Sequence, residues 1–260
     1  MRIKRCIQEF FRRAGLLPSK QVPQCDFCKR EIFRAPYLRL CKDCQTALPV
    51  HGEFRCEKCG RKTRSSGLCL ACKATPPEFT RGVSAFSYEG NVCQPINAFK
   101  NGDGYLAKYF GDALCVSVFQ TFETLRKEYG AGASVEEFLS ACVIVAVPLD
   151  KTRLRERGYN QADLLARQVA KKTGLIYEQD VLSKKKQVAS QKHETAKSRA
   201  ENVFRIYRVE KRSICKGKHV FVVDDIMTTG ATGSECARIL KNAGASTVTF
   251  FSVASAPDKG

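Results

Sequence analysis

The segment HVFVVDDIMTTGATGSECARIL, residues 219–240, constrains the fold of this chain more than any other stretch. It places five mainly apolar and β-branched residues before Asp224 and Asp225, followed by a run of small hydroxylated residues and glycine. Apolar side chains at Cys236, Ile239 and Leu240 then recur with helical spacing. The segment therefore predicts a buried strand that passes through a short loop into an amphipathic helix.

Strand-like and helix-like segments alternate along the chain on both sides of this unit. VSAFSYEG alternates as a short strand does, residues 142–149 form an apolar run typical of a strand buried on both faces, and STVTFFSVA is the last strand. Helices are predicted from about Tyr105 to Lys127 and from Ala162 to a cap at Gly174. This alternation predicts an α/β domain with a parallel sheet and right-handed crossovers, in which ligands bind beyond the carboxyl ends of the strands.

The loop between the predicted strand and helix has the residues of an anion site. Backbone N–H groups from Thr228 to Thr232 can converge on one phosphate, and Gly230 lets the backbone approach it closely. Successive side chains of a strand point to opposite faces, so Asp224 and Asp225 both reach a ribose diol or a metal ion only where the strand ends. Neither a Walker lysine nor G-x-G-x-x-G occurs, which argues against an NTPase or a dinucleotide site.

Eight of the 14 cysteines form four C-x2-C pairs: Cys25 and Cys28, Cys41 and Cys44, Cys56 and Cys59, Cys69 and Cys72. Two sulfurs on one tight turn can face the same ion, and two such knuckles complete a tetrahedral zinc site. A disulfide scaffold is the alternative, but it requires an oxidising compartment. We therefore expect two structural Zn²⁺ ions, with the knuckles paired either sequentially or in an interleaved order, and the metal supplying much of the local folding energy.

The formal net charge of +18 is concentrated in two blocks. Residues 1–80 carry 17 Lys/Arg against 7 Asp/Glu, and residues 151–219 carry 19 against 7. Such clusters favour polyanionic partners, namely nucleic acid or phosphorylated ligands, over the alternative of a merely solvated surface. No apolar stretch is long enough for a membrane span or a secretory signal, so we expect a cytoplasmic protein without a membrane span.

Four strings carry a resemblance to known families. VFVVDDIMTTGAT closely resembles the motif by which type I phosphoribosyltransferases bind 5-phosphoribosyl-1-pyrophosphate (PRPP). PLDKTRLRERGYNQADLLA resembles the R-x-x-x-R-G-[FY]-N-Q signature of the ComF family, of which a double zinc ribbon is also typical. QKHETAKSRAENVF resembles that family's Q…R-x-x-N-x-x-F segment, with Phe204 one place early. INAFKNGDGYLAKYFGD resembles its K-x-x-G element through Lys100, although the glycines fall at Gly102 and Gly104.

The resemblance implies a type I phosphoribosyltransferase (Rossmann-like) domain over residues 77–260, preceded by a double zinc ribbon over 25–76 and a basic amphipathic segment over 1–24. It implies PRPP bound with Mg²⁺, and a flexible catalytic loop over residues 183–202. The implied PRPP-binding residues are Asp224, Asp225, Met227, Thr228, Thr229, Gly230, Ala231 and Thr232, with Asp224 and Asp225 the best catalytic candidates. The implied pyrophosphate and basic-loop residues are Lys100, Arg153, Arg157, Asn160, Gln161 and Arg199.

Proteins of the ComF family act in natural transformation, so the resemblance implies a competence factor that binds PRPP and handles single-stranded DNA during DNA uptake. Protein partners from the uptake machinery would then dock on the zinc ribbons. Two alternatives stay open: an active phosphoribosyltransferase that joins PRPP to an amine or nucleobase and releases pyrophosphate, and a zinc-ribbon adaptor with a PRPP-sensing domain. The sequence shows no recognisable base-binding hood, so it leaves both turnover and the acceptor undecided.

Overall fold

The computed structural model describes residues 24–32, 40–50, 54–129, 134–184 and 206–258. The chain forms two compact units, Met1–Ala47 and Leu48–Gly260. Most of the predicted N-terminal basic segment, most of the predicted catalytic loop, and Arg199 lie outside the described residues. The second pair of cysteine knuckles belongs to the larger unit. The domain boundary near residue 76 stays a prediction.

The helices and strands follow the alternation that the sequence predicts. The smaller unit contributes one described helix, α1 (Lys42–Thr46). The larger unit runs through α2 (Leu70–Ala74), β1 (Arg81–Ser87), α3 (Cys93–Lys100), α4 (Ala107–Tyr129), α5 (Val135–Ser140), β2 (Cys142–Ala146), α6 (Lys151–Arg157), α7 (Gln161–Thr173), β3 (Leu182–Lys184), β4 (Tyr207–Val209), α8 (Arg212–Cys215), β5 (His219–Met227), α9 (Ala231–Asn242) and β6 (Thr247–Ser255). Short 3₁₀ turns at Gly90–Val92 and Gly104–Leu106 precede α3 and α4. None of the helices in the described ranges is both long enough and apolar enough to span a membrane.

Four of these strands form one parallel sheet in the order β1-β6-β5-β2. The two inner strands are almost entirely buried: Val220, Phe221 and Val222 of β5 have no exposed surface. This burial follows from their apolar, β-branched sequence, because strands covered on both faces need apolar side chains on both faces. The predicted parallel α/β architecture is confirmed, and β3 and β4 form a separate antiparallel pair.

Strand β5 does not end at the aspartates, which corrects one local prediction. Its pairing with β6 continues to Met227, whereas its pairing with β2 stops at Val223. Asp224 and Asp225 therefore lie where only one edge of β5 is still covered. Their carboxylates accept backbone N–H groups of the chain itself: Asp225 N donates to Asp224 Oδ1 at 2.8 Å, and Ile226 N donates to Asp225 Oδ1 at 2.6 Å.

Two helices flank the carboxyl end of the sheet and begin at the candidate site. Helix α7 begins after Asn160, whose side chain caps it by accepting the N–H of Ala162, and ends at Gly174 in the left-handed conformation, as predicted. Helix α9 begins directly after the loop that follows β5 and buries Cys236 and Leu240 against the sheet. The amphipathic pattern of each helix therefore fixes which loop residues stand above the sheet.

Candidate functional site

The loop that connects β5 to α9 presents a set of unpaired backbone donors. Within the described residues, no protein acceptor takes the backbone N–H groups of Thr228, Thr229, Gly230, Thr232 and Gly233. The backbone N–H of Ala231 has a local partner, because it donates to Thr229 Oγ1 at 3.3 Å. The first N–H groups of a helix have no intrahelical partner and carry the positive end of the helix dipole, so this loop can receive an anion.

Gly230 has a backbone that other residues rarely adopt. Its φ is +86°, in the left-handed region, at the position just before α9. A Cβ placed there would have its nearest neighbour, a ring carbon of Phe79, at 3.9 Å, so space does not require the glycine. The positive φ requires the glycine, because this backbone conformation turns the chain sharply enough to start the helix with its N–H groups close together.

Asp224 and Asp225 line a cleft of about 150 Å³ together with Thr232 from the loop. Burial and the charge of Asp225 raise the pKa of Asp224 to about 8, so near neutral pH its carboxyl group holds a proton when no cation is present. Lys100 Nζ lies 3.5 Å from Asp225 Oδ2. Asp224 and Asp225 together are suited to bind a divalent cation or sugar hydroxyls. A cation or hydroxyl donors would offset the repulsion that arises when both carboxyl groups are ionised.

Four basic side chains line the same cleft, namely Lys100, Arg153, Arg157 and Lys184. Lys184 lies 3.9 Å from Asp150, the residue that caps α6 by accepting the N–H of Arg153. Arg153 is mostly exposed, so its guanidinium is not held by burial. The cleft thus joins donors, an acid pair and cations, which together can bind a phosphorylated sugar with a metal ion.

The RGYNQ string holds the cleft together through hydrogen bonds to distant backbone. Asn160 Nδ2 donates to Val147 O at 3.0 Å, at the exit of β2. Gln161, which is buried, donates from Nε2 to Lys100 O at 3.3 Å and accepts from Arg157 Nη1 at 3.1 Å. Tyr159 OH donates to Phe99 O at 2.5 Å. These residues therefore position Lys100 and Arg157, and their predicted contact with pyrophosphate stays a prediction.

Three residues at the cleft were not singled out from the sequence: Lys184 and Tyr207, which line it, and Asp150, which lies 3.9 Å from Lys184. Lys184 and Tyr207 come from β3 and β4, and Lys184 Nζ lies 5.6 Å from the centre of the Tyr207 ring. Neither short strand has a distinctive pattern. Asp150 did carry a signal, since an aspartate three residues before Arg153 at a helix start is a typical N-cap.

The first cysteine cluster lies in the smaller unit and joins Cys25, Cys28, Cys41 and Cys44. The Sγ atoms of Cys28 and Cys41 lie 3.7 Å apart, far beyond the roughly 2.05 Å of a disulfide but close to the edge of about 3.8 Å in a zinc–sulfur tetrahedron. The Arg30 guanidinium donates to Cys28 Sγ and lowers the pKa of that thiol to about 6. The group fits a tetrahedral cation.

The second cluster lies in the larger unit and joins Cys56, Cys59, Cys69 and Cys72, all of them buried. Its Cys59 and Cys69 Sγ atoms are again 3.7 Å apart. Burial raises the pKa of Cys59 to about 11, so four thiolates at this place require a cation. The knuckles therefore pair sequentially, which settles the order that the sequence left open, and both groups could hold zinc.

Comparison with known proteins identifies the family. A family model described as "Phosphoribosyl transferase domain" matches residues 154–260. The competence protein ComFC of Streptococcus pneumoniae is 30% identical over 220 residues, which cover 82% of this chain and 86% of that protein. The DNA utilization protein YhgH of Salmonella typhimurium is 28% identical over 210 residues, covering 80% and 87%. ComFC of Bacillus subtilis is 26% identical over 248 residues, covering 92% and 93%.

Among solved structures, glutamine PRPP amidotransferase from B. subtilis matches with a TM-score of 0.34 and 22% identity, over 61% of this chain. The chain spans about a quarter of that enzyme, 26% of its length. The match to S. pneumoniae ComFC extends over more than four-fifths of both chains, and the family model covers the loop after β5. The chain belongs to the ComF family, and its larger unit contains a type I phosphoribosyltransferase domain with a parallel sheet.

Proposed function

We propose that the cleft at the carboxyl end of β5 binds PRPP together with Mg²⁺. One observation carries the proposal: Asp224 and Asp225 line a cleft with Thr232, which belongs to a loop whose backbone N–H groups are mostly unpaired within the described residues. The 5′-phosphate would occupy the loop from Thr228 to Thr232, where four unpaired amides can donate to its oxygens. The ribose diol would lie against Asp224 and Asp225.

The basic side chains of the cleft would bind the pyrophosphate group of PRPP. Arg153 and Arg157 enter the cleft from α6, and a guanidinium donates two parallel hydrogen bonds to phosphate oxygens. Lys100 and Lys184 add charge from two further segments. Asp224 and Asp225 would hold the Mg²⁺ directly or through water. When bound, this ion neutralises charge on the diphosphate.

Calorimetric titration with Mg-PRPP, with Mg-ribose 5-phosphate as the second ligand, tests the assignment. The wild type should bind PRPP more tightly than ribose 5-phosphate, since only PRPP reaches the arginines. The variant D225N should bind both at least tenfold more weakly, because a carboxylate that faces the sugar or metal is lost. E123Q, an exposed site on α4, is the control and should bind as the wild type does. Undetectable PRPP binding by the wild type would refute the proposal.

We propose further that the protein is a cytoplasmic factor that handles single-stranded DNA. The support is that its relatives are a competence protein and a DNA utilization protein, together with the basic surface of α6. Lys151 and Arg155 of this helix are exposed beside the cleft-lining Arg153. They can contact phosphates of a strand that passes the mouth of the cleft.

Salt dependence of single-stranded DNA binding tests this role. Each lost phosphate contact lowers the slope of log affinity against log salt by about 0.7, so K151A/R155A should lower it by about 1.4. The control K171A/K172A removes the same charge from the C-terminal end of α7 and should keep the wild-type slope. Equal slopes in all three proteins would contradict a DNA surface on α6.

Turnover is a second candidate, favoured by the cations that surround the acid pair. Phosphoribosyl transfer needs cations on the departing pyrophosphate and acids on the ribose, and this cleft offers both types of group. PRPP-dependent release of pyrophosphate with a panel of amines and nucleobases would reveal it, and D225N should abolish it. The absence of release across the panel would leave PRPP binding as the function of the cleft.

Both cysteine clusters are proposed to hold structural Zn²⁺. The sulfur spacings fit a tetrahedral ion, and buried thiols need a cation to ionise together. Elemental analysis of the purified protein should give two zinc ions per chain, and substitution of Cys44 should remove one of them. Docking of protein partners on the ribbons stays a prediction.

A further inference from the structure

Arg61 connects the second cysteine cluster to the loop after β5. Its side chain is buried, with 6% of its surface exposed. Nε donates to Cys59 Sγ at 3.2 Å, and Nη2 donates to Thr228 O at 3.0 Å, across 167 residues of sequence. A buried guanidinium is stable only when its donors are satisfied, so these two acceptors fix its position.

The contact with Thr228 O orients the next amide of the loop. The described chain has no cis peptide bonds, and in a planar trans peptide the C=O and the following N–H point in opposite directions. With the Thr228 carbonyl held toward Arg61, the N–H of Thr229 points away from the cysteine knuckle. That N–H is one of the unpaired donors, so Arg61 sets the direction of a hydrogen bond it does not itself make.

The knuckle that carries Arg61 is itself fixed to the sheet. A Cβ on Gly60 would lie 2.3 Å from Gly82 O, which shows how closely the knuckle approaches the start of β1. Gly82 N donates to Lys58 O at 2.8 Å, and Lys58 Nζ donates to Thr80 O at 3.4 Å. The knuckle therefore has little freedom relative to β1, and Arg61 transmits this rigidity to the loop.

The cluster and the loop also share a cavity of about 410 Å³. Cys59 and Cys72 line it on one side, and Thr229 and Gly230 line it on the other. Arg61 donates to Cys59 on one side of this cavity and to Thr228, the residue before Thr229, on the other. A change at the cluster can reach the loop by this path.

We propose that Arg61 is a positioning residue through which the second cysteine cluster, when it holds its cation, orders the phosphate-binding loop. The cation would fix the position of Cys59, whose Sγ accepts from Arg61 Nε, and would thereby hold Nη2 against the carbonyl of Thr228. Loss of the cation would release Cys59 from the cluster, and Arg61 would no longer hold that carbonyl in place. The proposal rests on the function proposed above, because it names the metal as a regulator of the PRPP site.

The chain supplies a matched control in the first cluster. Arg30 stands two residues after Cys28 just as Arg61 stands two residues after Cys59, and its Nε donates to Cys28 Sγ at 3.4 Å. Its Nη2 donates to Asp43 within the same ribbon at 2.8 Å. R30M and R61M thus remove the same kind of N–H···S bond, and R61M alone removes the bond to Thr228.

Backbone ¹⁵N relaxation at Thr229 and Gly230, combined with zinc content and Mg-PRPP titration, tests the proposal. R61M should retain the wild-type zinc content while the order parameters of both residues fall from about 0.85 to below about 0.6. PRPP affinity should fall about tenfold, the loss expected for one charge-assisted hydrogen bond. R30M should match the wild type in both measurements. Chelation should loosen Thr229 in wild type and R30M and change nothing further in R61M.

Wild-type order parameters at Thr229 and Gly230 in R61M would overturn the proposal, as would a loss of order that spreads equally through β5 and β6. If R61M does not fold, the variant R61K tests the proposal instead. Its single ammonium group can reach Cys59 or Thr228 but not both. Unchanged order parameters at Thr229 and Gly230 in R61K would then refute the link. A wild-type protein that binds no PRPP while R61M still loosens the loop would refute the proposed ligand and leave the link standing.

Discussion

Replacing Asp224 with asparagine should stabilise the folded protein, and the gain should grow with pH. The unfolded chain releases the Asp224 proton near pH 3.8, whereas burial and Asp225 keep the folded pKa at about 8. Between these values the folded state holds one proton more than the unfolded state. Wild-type stability therefore falls as pH rises through this window, by up to about 1.4 kcal/mol per pH unit. D224N has no such proton and should show no such fall.

The magnitude follows from the two pKa values. From pH 6 to pH 8 the wild type should lose about 2 kcal/mol relative to D224N, since the slope flattens as the folded carboxyl begins to ionise. Asparagine keeps an oxygen for the N–H of Asp225, so the local hydrogen bond survives the change.

Urea denaturation of wild type and D224N at pH 6, 7 and 8 measures the effect, with E123Q as a control for a carboxylate that is exposed. E123Q should follow the wild-type curve. D224N should also bind Mg-PRPP more weakly. The variant should therefore have a higher free energy of unfolding and a lower affinity for the ligand. Parallel pH curves for wild type and D224N would show that Asp224 ionises normally and would refute the raised pKa.

Two further substitutions probe the loop and its support. G230A should lower stability by about 1 kcal/mol or more and weaken PRPP binding in titrations, because alanine tolerates φ of +86° poorly even though its Cβ has room; wild-type affinity would contradict the cradle. Q161L should lower the free energy of unfolding by about 1–3 kcal/mol, since it leaves Lys100 O and the Arg157 guanidinium short of a buried partner. Its affinity for PRPP should fall more than its affinity for ribose 5-phosphate, because both released groups lie on the side proposed for pyrophosphate.

Local patterns predicted the elements that local physics controls. The helical spacing around Leu165 and the glycine at Gly174 predicted α7 and its end, and the apolar run at residues 142–149 predicted β2. The spacing of the C-x2-C pairs predicted two four-cysteine groups. In each of these the determining residues lie within one short, continuous segment, so a local window of sequence contains the pattern that predicts them.

Contacts between residues that are far apart in the chain could not be predicted from the sequence. Arg61 reaches Thr228 across 167 residues, and no property of either neighbourhood indicates the other. Lys184 joins the cleft because β3 pairs with β4, whose partner residues follow a long intervening segment. The extent of β5 past Asp225 was missed for the same reason, since it depends on β6 continuing alongside to Ser255.

The charges of the cleft would let the protein bind a small diphosphate and a DNA strand at different places. Asp225 lies beside the anion loop, and its carboxylate would repel a phosphate that arrives without a cation. In the proposed binding mode a diphosphate would carry Mg²⁺ into the site, where coordination would replace that repulsion and displace the proton of Asp224. A DNA strand carries single charges spaced along its backbone and gains most from exposed cations such as Lys151 and Arg155. Under these two proposals the acid pair would favour the metal-bound ligand inside the cleft, the strand would bind the outer face of α6, and Arg153 would contact both.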